Sequence, residues 1–372
     1  MPADEKRTRV LIVDDSAFMR KVLETIISAD DQLQVVGQAK DGREAVTLAQ
    51  TLQPDVMTMD INMPRMDGIE ATQHIMTTNP RPIVIVSSES KQGAASTLRA
   101  LELGAIDFVT KPSSGIDLDM KTVRDELLGK LRMAAKVRVV RTAARNDHST
   151  STGVGAEVKH SFAPPVREIG ANEPRMPLVV IAASTGGPAT LMRLMPRFPK
   201  DFPAAVVLVQ HMPGTFTSQL TVQLSEVSAI RVKDAENNEA LQSGTMLVCP
   251  GTHHLRISLT GRIKLDDGPR ISGYRPCADV TFESAAAYGG GNVVGVVLTG
   301  MGNDGAKGVQ ALKAARGYVL AQDEASSVIF GMPAEAIRTG VVDQVVGIDN
   351  MYTAIEKYLD PICRQTQPIG SR

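Results

Sequence analysis

Carboxylates, hydroxyls and a lysine recur in this 372-residue chain where a short apolar run gives way to a small or polar segment. Asp14 and Asp15 close the run RVLIV, Asp60 closes DVMTMD, Ser87 and Ser88 close PIVIVSS, and Lys111 follows AIDFVT. Carboxylates gathered at one rim repel each other, and a hard, oxygen-seeking cation such as Mg2+ relieves that repulsion. Mg2+ held by Asp15, Asp60 and a backbone carbonyl would keep several waters and accept a phosphoryl oxygen. Asp60 would then be a carboxylate nucleophile forming an acyl phosphate. Lys111 would supply a point charge for that phosphate and a serine hydroxyl a hydrogen bond. A single strand-end Asp more often caps a helix or forms a turn. The expectation therefore rests on the joint pattern of DD, MDINMPRMDG, SS and KP.

A second set of groups lies beyond residue 176. In PLVVIAASTGGPATLMRLM, Ser184 follows an apolar strand and precedes Thr-Gly-Gly and a helix. Ala183, Gly186 and Gly187 permit a tight strand-to-helix turn that exposes the hydroxyl, with helix-start N–H groups facing an oxyanion. The turn is similar to a nucleophile elbow, with Ala182 in place of the first Gly of GxSxG. A helix N-cap or a phosphate-cradling loop fits the segment equally well. His211 ends AAVVLVQ and is the best placed of the six histidines for a base, although a lone strand-end His is more often structural. Asp304, in LTGMGNDGAKG, either caps the helix that follows or orients His211. Ser184, His211 and Asp304 would then be nucleophile, base and orienter. Their chain order differs from that of α/β-hydrolases, but a triad is defined by roles rather than order. Cys249, His253 and His254 lack the usual zinc-ligand spacing.

The elements that must position these groups alternate in type. RVLIV (9–13), LQVVGQA (33–39), DVMTMD (55–60), PIVIVSS (82–88) and AIDFVT (105–110) are predicted strands. Segments such as SAFMRKVLETII carry helical spacing between them. This implies an open parallel sheet with helices on both faces and function at the strands' carboxyl ends. The last 197 residues repeat the alternation with PLVVIAA (177–183), AAVVLVQ (204–210), TMLVCP (245–250), NVVGVVLT (292–299) and YVLAQ (318–322). LRISLTGRIKL adds a hairpin turning at Thr260-Gly261. Ala134 to Arg175, rich in Ser, Thr, Gly, Pro and Ala without a period, is predicted to be a linker.

Composition limits the partners. The chain has 40 Lys and Arg against 41 Asp and Glu, and the half beyond residue 175 carries 17 of each. No basic stripe favours nucleic acid or a membrane surface. No uncharged apolar run approaches the ~20 residues that span a bilayer. The first ten residues lack the apolar core of a signal peptide. Three widely spaced cysteines indicate neither a disulfide framework nor a CxxC site. A soluble protein of a reducing compartment such as the cytoplasm is expected.

Over about residues 5–125 the acidic pattern resembles the response-regulator receiver domain. The resemblance implies Asp60 as phosphoacceptor, Asp14 and Asp15 as metal-site acids, Asn62 as the backbone carbonyl ligand, Ser87 as switch hydroxyl and Lys111 as phosphate-binding lysine. With AASTGGP, VQHMP, LTGMGNDGAKG, CPGTHH and GYRPCADVTFESAA, nearly the whole chain resembles the chemotaxis protein-glutamate methylesterases/protein-glutamine glutaminases. Cys277 stands where that family usually has Ser. The resemblance implies an α/β protein: a flavodoxin-like, five-stranded receiver (5–125), a linker (126–175) and a doubly wound, mainly parallel esterase domain (176–368). It implies hydrolysis of glutamate methyl esters on methyl-accepting chemoreceptors, deamidation of selected receptor glutamines, and Mg2+ for the receiver but no cofactor for the esterase. It further implies oxyanion donors around Thr185 and Met301, a histidine kinase as phosphodonor, and a receiver that packs across the active-site mouth until phosphorylated. A transcription regulator and a catalytically silent receptor-binding adaptor are the competing classes. Salt-sensitive DNA binding would mark the first, and receptor binding without methanol release the second.

Overall fold

The computed structural model describes residues 7–88, 90–111, 117–137 and 175–366. Its first unit alternates β1 (Thr8–Val13), α1 (Ala17–Ser28), β2 (Leu33–Ala39), α2 (Gly42–Leu52), β3 (Val56–Asp60), α3 (Gly68–Thr78), β4 (Ile83–Ser87), α4 (Lys91–Glu102), β5 (Asp107–Thr110) and α5 (Asp117–Ala134). The helices start where the side chains dictate. Ser16, Asp41, Asp67 and Ser90 each accept a backbone N–H of the first turn they cap. The five strands pair in parallel in the order β2-β1-β3-β4-β5. β1 and β3 therefore lie side by side at the centre, and the ends of β1, β3, β4 and β5 share one rim.

The linker begins later than the 126 implied by the resemblance, near the Ala134 read from composition. Residues 126–134, assigned to it above, belong to α5. Leu127, Leu128, Leu131 and Ala134 are buried in a cluster with Val10, Ile12 and Val84 of the sheet, and that apolar face continues the helix. The rest of the linker reading, from residue 138 to 174, falls outside the described residues.

The second unit runs β6 (Leu178–Ala183), α6 (Gly187–Leu194), β7 (Ala205–Gln210), α7 (Gly214–Val227), β8 (Arg231–Asp234), β9 (Thr245–Val248), β10 (His254–Ile257), β11 (Ile263–Asp266) and α8 (Ala278–Gly289). It continues with β12 (Val293–Val297), α9 (Ala306–Ala314), β13 (Tyr318–Gln322), α10 (Met332–Arg338), β14 (Gln344–Val346) and α11 (Ile348–Thr366). Seven strands pair in parallel in the order β14-β13-β12-β6-β7-β9-β8, and β10 and β11 form the predicted hairpin. β6 and β7 are buried at every residue, which is why they read as unbroken apolar runs. The strand order reverses between β6 and β12, the kind of switch point at which α/β sheets open a crevice. No helix among the described residues is long and apolar enough to cross a membrane.

The two units touch through the α4–β5–α5 side of the first. α4 lies against α6 and α7, and Phe108 of β5 stacks on Phe216 of α7 with centroids 4.3 Å apart. Such a buried ring pair contributes ~0.5–1.5 kcal/mol beyond its area.

Candidate functional site

Three neighbouring strands, β12, β6 and β7, deliver Asp304, Ser184 and His211 to one edge of the second sheet. Ser184 is half-buried in the turn after β6. It does not cap α6: the N-cap is Gly186, in a left-handed conformation, and the Ser184 carbonyl accepts the Gly187 N–H at 2.8 Å. The turn is braced from both neighbouring strands. Gln210 Nε2 donates to the Ser184 carbonyl at 2.9 Å, and the Ser184 N–H donates to the Thr299 carbonyl at 3.0 Å. The Thr299 hydroxyl donates to the Thr185 carbonyl at 3.0 Å. Gly300 lies so close to Ser184 that a Cβ on it would stand 2.8 Å from the Ser184 Cβ. The Gly300–Met301 segment is thus held beside the serine.

His211 Nε2 and Asp304 Oδ2 share a hydrogen bond of 2.7 Å. The other ring nitrogen, Nδ1, is buried and makes no hydrogen bond. With Asp304 holding a proton on Nε2, the lone pair sits on Nδ1, the form a general base needs. Tyr274 stacks on the imidazole at 4.6 Å and nearly parallel, fixing the plane of the ring. Asp304 is buried and does not cap the helix that follows it, whose N-cap is Gly305. Its carboxylate instead accepts the N–H groups of Ala278 at 2.6 Å and Asp279 at 2.9 Å, and the Cys277 thiol at 3.2 Å. Burial alone would raise the pKa of this carboxyl. The His211 hydrogen bond and charge, joined by the two backbone N–H groups, outweigh burial and hold it below the ordinary value.

The first unit carries the acidic cluster where expected. Asp14, Asp15 and Asp60 each offer an oxygen within 4.8 Å of the others, the only such group of three or more Asp, Glu, His or Cys among the described residues. None of them caps a helix: Ser16 and Asp67 do that. Lys111 Nζ spans Asp14 Oδ2 at 3.0 Å and Asp60 Oδ2 at 2.8 Å. Burial, reinforced by the charge of Asp14, raises the Asp60 carboxyl despite the opposing pull of Lys111. Carboxylate oxygens with one exposed member, Asp15, are a donor set that fits a hydrated Mg2+. Asn62 is exposed on the β3–α3 loop, and Ser87 is buried at the end of β4, its carbonyl accepting the Lys111 N–H at 2.7 Å.

The first unit meets the serine turn of the second through residues that sequence reasoning missed. Asp107 of β5 accepts a hydrogen bond from the Thr185 hydroxyl, next to Ser184. Lys130 of α5 pairs with Asp107 at 3.2 Å. On the same helix, a Cβ at Gly129 would stand 3.4 Å from the Met301 side chain. Gln210, Thr299, Tyr274 and Asp279 were likewise not singled out. Gln210 and Thr299, polar residues ending apolar strands, offered the same signal that picked out Ser184. Cys249 and His254, set aside as metal ligands, are buried with partners of their own: the thiol on the Pro250 and His253 carbonyls, and His254 Nε2 on the Pro269 carbonyl.

Residues 10–122 match the response regulator receiver domain family and residues 179–355 the CheB methylesterase family. A protein-glutamate methylesterase/protein-glutamine glutaminase of Pyrococcus horikoshii is 43% identical over 97% of this chain and 96% of its own. One from Symbiobacterium thermophilum is 44% identical over 95% of this chain and 97% of its own. The crystal structure of the Thermotoga maritima CheB methylesterase catalytic domain aligns at 36% identity and a TM-score of 0.47, covering 51% of this chain and 98% of that one. The chain belongs to the CheB family of methylesterases and carries an N-terminal response-regulator receiver domain.

Proposed function

We propose that the protein hydrolyses methyl esters of glutamate side chains on methyl-accepting chemoreceptors, and deamidates selected receptor glutamines, with Ser184, His211 and Asp304 as its triad. The observation that carries this is the His211–Asp304 bond of 2.7 Å at strand ends flanking the Ser184 turn. Ser184 Oγ attacks the acyl carbon while His211 Nδ1 takes its proton. Asp304 stabilises the imidazolium that forms, and the backbone N–H groups around Thr185 and Met301 receive the oxyanion. As the tetrahedral intermediate collapses and its C–O bond (C–N for a glutamine) breaks, the imidazolium gives its proton to the leaving oxygen or nitrogen, so that methanol or ammonia departs and the acyl-serine remains. Neutral again, His211 draws a proton from water, which releases the acid and restores the serine. Ester and amide share one route, so one site serves both and needs no cofactor.

Phosphorylation of Asp60 by a chemotaxis histidine kinase is the proposed control. Asp14, Asp15, Asp60 and the Asn62 carbonyl would hold Mg2+, which neutralises the carboxylates and the incoming phosphoryl group. Lys111 would turn from its two carboxylates to the phosphate, and the Ser87 hydroxyl would donate to it. The receiver's contacts at Thr185 and Met301, beside the nucleophile and the proposed oxyanion donors, support occlusion of the site before phosphorylation. A receiver that extends through α5 to Ala134, a catalytic domain over 176–368 and a cytoplasmic location belong to the same proposal, with neither nucleic acid nor membrane insertion involved. Replacing Ser184 with Ala tests the chemistry. Methanol release from methylated receptor should fall at least ~1,000-fold while receptor binding persists; retained turnover would overturn the triad.

A further inference from the structure

Helices α8 and α9 both begin without a side-chain cap of their own. The N-cap of α8 is Cys277, whose side chain makes no capping bond, and that of α9 is Gly305, which has no side chain. Each helix is capped by a carboxylate from beside the other. Asp304, immediately before Gly305, accepts the Ala278 and Asp279 N–H groups at the start of α8. Asp279, in the first turn of α8, returns the arrangement: its Oδ1 accepts the Gly305 N–H at 2.9 Å and the Gly308 N–H at 2.7 Å. The helices are packed tightly enough that a Cβ on Gly308 would stand 2.6 Å from that of Phe282.

We infer that Asp279 is a positioning residue for the hydrolytic triad, acting through Asp304. The assignment rests on the triad proposed above. Asp304 hangs between two anchors. Its carboxylate is fixed by α8, and the peptide that follows it is fixed by Asp279. A carboxylate pinned only at its tip could rotate away from His211 Nε2 as the Gly302–Gly305 loop shifted, since glycines at both ends leave that loop its conformational freedom. With Gly305 N–H bound to Asp279, the Asp304 backbone cannot move without breaking a bond to the helix that also holds its side chain. The Asp279 side chain bonds the Gly305 and Gly308 N–H groups rather than Ser184 or His211, so its role is to position and not to react. It sets the direction from which Asp304 meets the imidazole, and a displacement of about 1 Å there can cost up to ~100-fold in rate.

The test uses the full chain with methylated receptor as substrate. Its readouts are kcat, KM and the low-field proton resonance of the His211 Nε2–H to Asp304 hydrogen bond. For Asp279→Ala, kcat is expected to fall ~10- to 100-fold with KM within about twofold, and the low-field resonance to broaden or vanish. Asp279→Asn keeps an acceptor oxygen in place and should restore kcat to within a few-fold of wild type. If Asp279→Ala does not fold, Asp279→Glu, which displaces the acceptor by a methylene, takes its place with the same expectation. Wild-type kcat in the Ala or Glu variant, an unchanged resonance despite lost turnover, or an Asn variant as impaired as Ala would each overturn the inference. Ser184→Ala run alongside separates the two failures. Turnover surviving in Ser184→Ala removes the triad itself, whereas its loss there with undiminished turnover in Asp279→Ala removes only the role of Asp279.

Discussion

The Cys277 thiol points at Asp304 Oδ1, and burial, followed by the charge of that carboxylate, pushes its pKa up to about 12. A thiol held protonated is a poor nucleophile. Cys277 should therefore resist iodoacetamide at pH 8 in the native protein and react on unfolding. The unfolded thiol ionises near ~8.5 while the folded one does not, so the unfolded chain binds fewer protons above that pH. Stability contributed by Cys277 is thus lost as pH rises beyond ~8.5, by up to ~1.4 kcal/mol per pH unit. Denaturation midpoints of Cys277→Ser should fall less steeply between pH 8.5 and 10, and an equal slope would contradict this. Since Ser also donates to Asp304, that variant should keep turnover within about twofold. Tyr274 invites a similar test. Phe retains the ring on His211 and should keep most of kcat, whereas Ala should lower it severalfold. Ser184 and His211 were legible because each directly follows an apolar strand, and Asp304 because it lies in the Gly-rich loop between an apolar strand and the next helix. Tyr274 and Asp279 were not: they reach the site through the fold of the loop before α8 and the packing of α8 on α9, which no local spacing reports.

At the scale of elements, the β3–α3 connection is the tightest joint in the receiver. A Cβ on Gly68 would stand 2.0 Å from the Asp60 carbonyl oxygen, a backbone atom that cannot swing aside. Gly68→Ala should push this connection apart, costing ~1–3 kcal/mol by overpacking. It should also lower Asp60 phosphorylation from acetyl phosphate; a wild-type melting temperature with normal phosphorylation would refute the geometry. Ten of the twelve strands of the two main sheets could be read from runs of β-branched and apolar residues. β8 and β14 could not. They are edge strands of four and three residues with partly exposed sequences, RVKD and QVV, and their pairing depends on β9 and β13 already being in place. α5 outran the boundary at 125 that the resemblance implied, because the apolar face of Leu127, Leu128 and Leu131 packs on the sheet and carries the helix to Ala134.

The whole molecule is two parallel-sheet units whose contact lies against the loops that would do the chemistry. Phe108 on Phe216 supplies apolar area, while Asp107 on Thr185 and α5 beside Met301 place the receiver against the serine turn and its neighbour. Both polar partners are nearly buried, so losing one leaves the other unsatisfied, at ~1–3 kcal/mol. If that contact opposes opening, Asp107→Ala should raise the unphosphorylated rate about 5- to 100-fold. Removal of residues 1–140 should raise it as well. A rate no faster than that of the unphosphorylated full chain in both proteins would contradict occlusion. The resemblance implied a receiver across the active-site mouth, but the residues that make the contact were not visible in the sequence, because Asp107 and Thr185 are 78 residues apart and belong to different sheets. The most direct measurement is methanol release from methylated chemoreceptor by the full chain, with and without a small phosphoryl donor and Mg2+. The account predicts slow release that rises with the donor and disappears in Ser184→Ala; no release from the folded wild-type protein under either condition would contradict it.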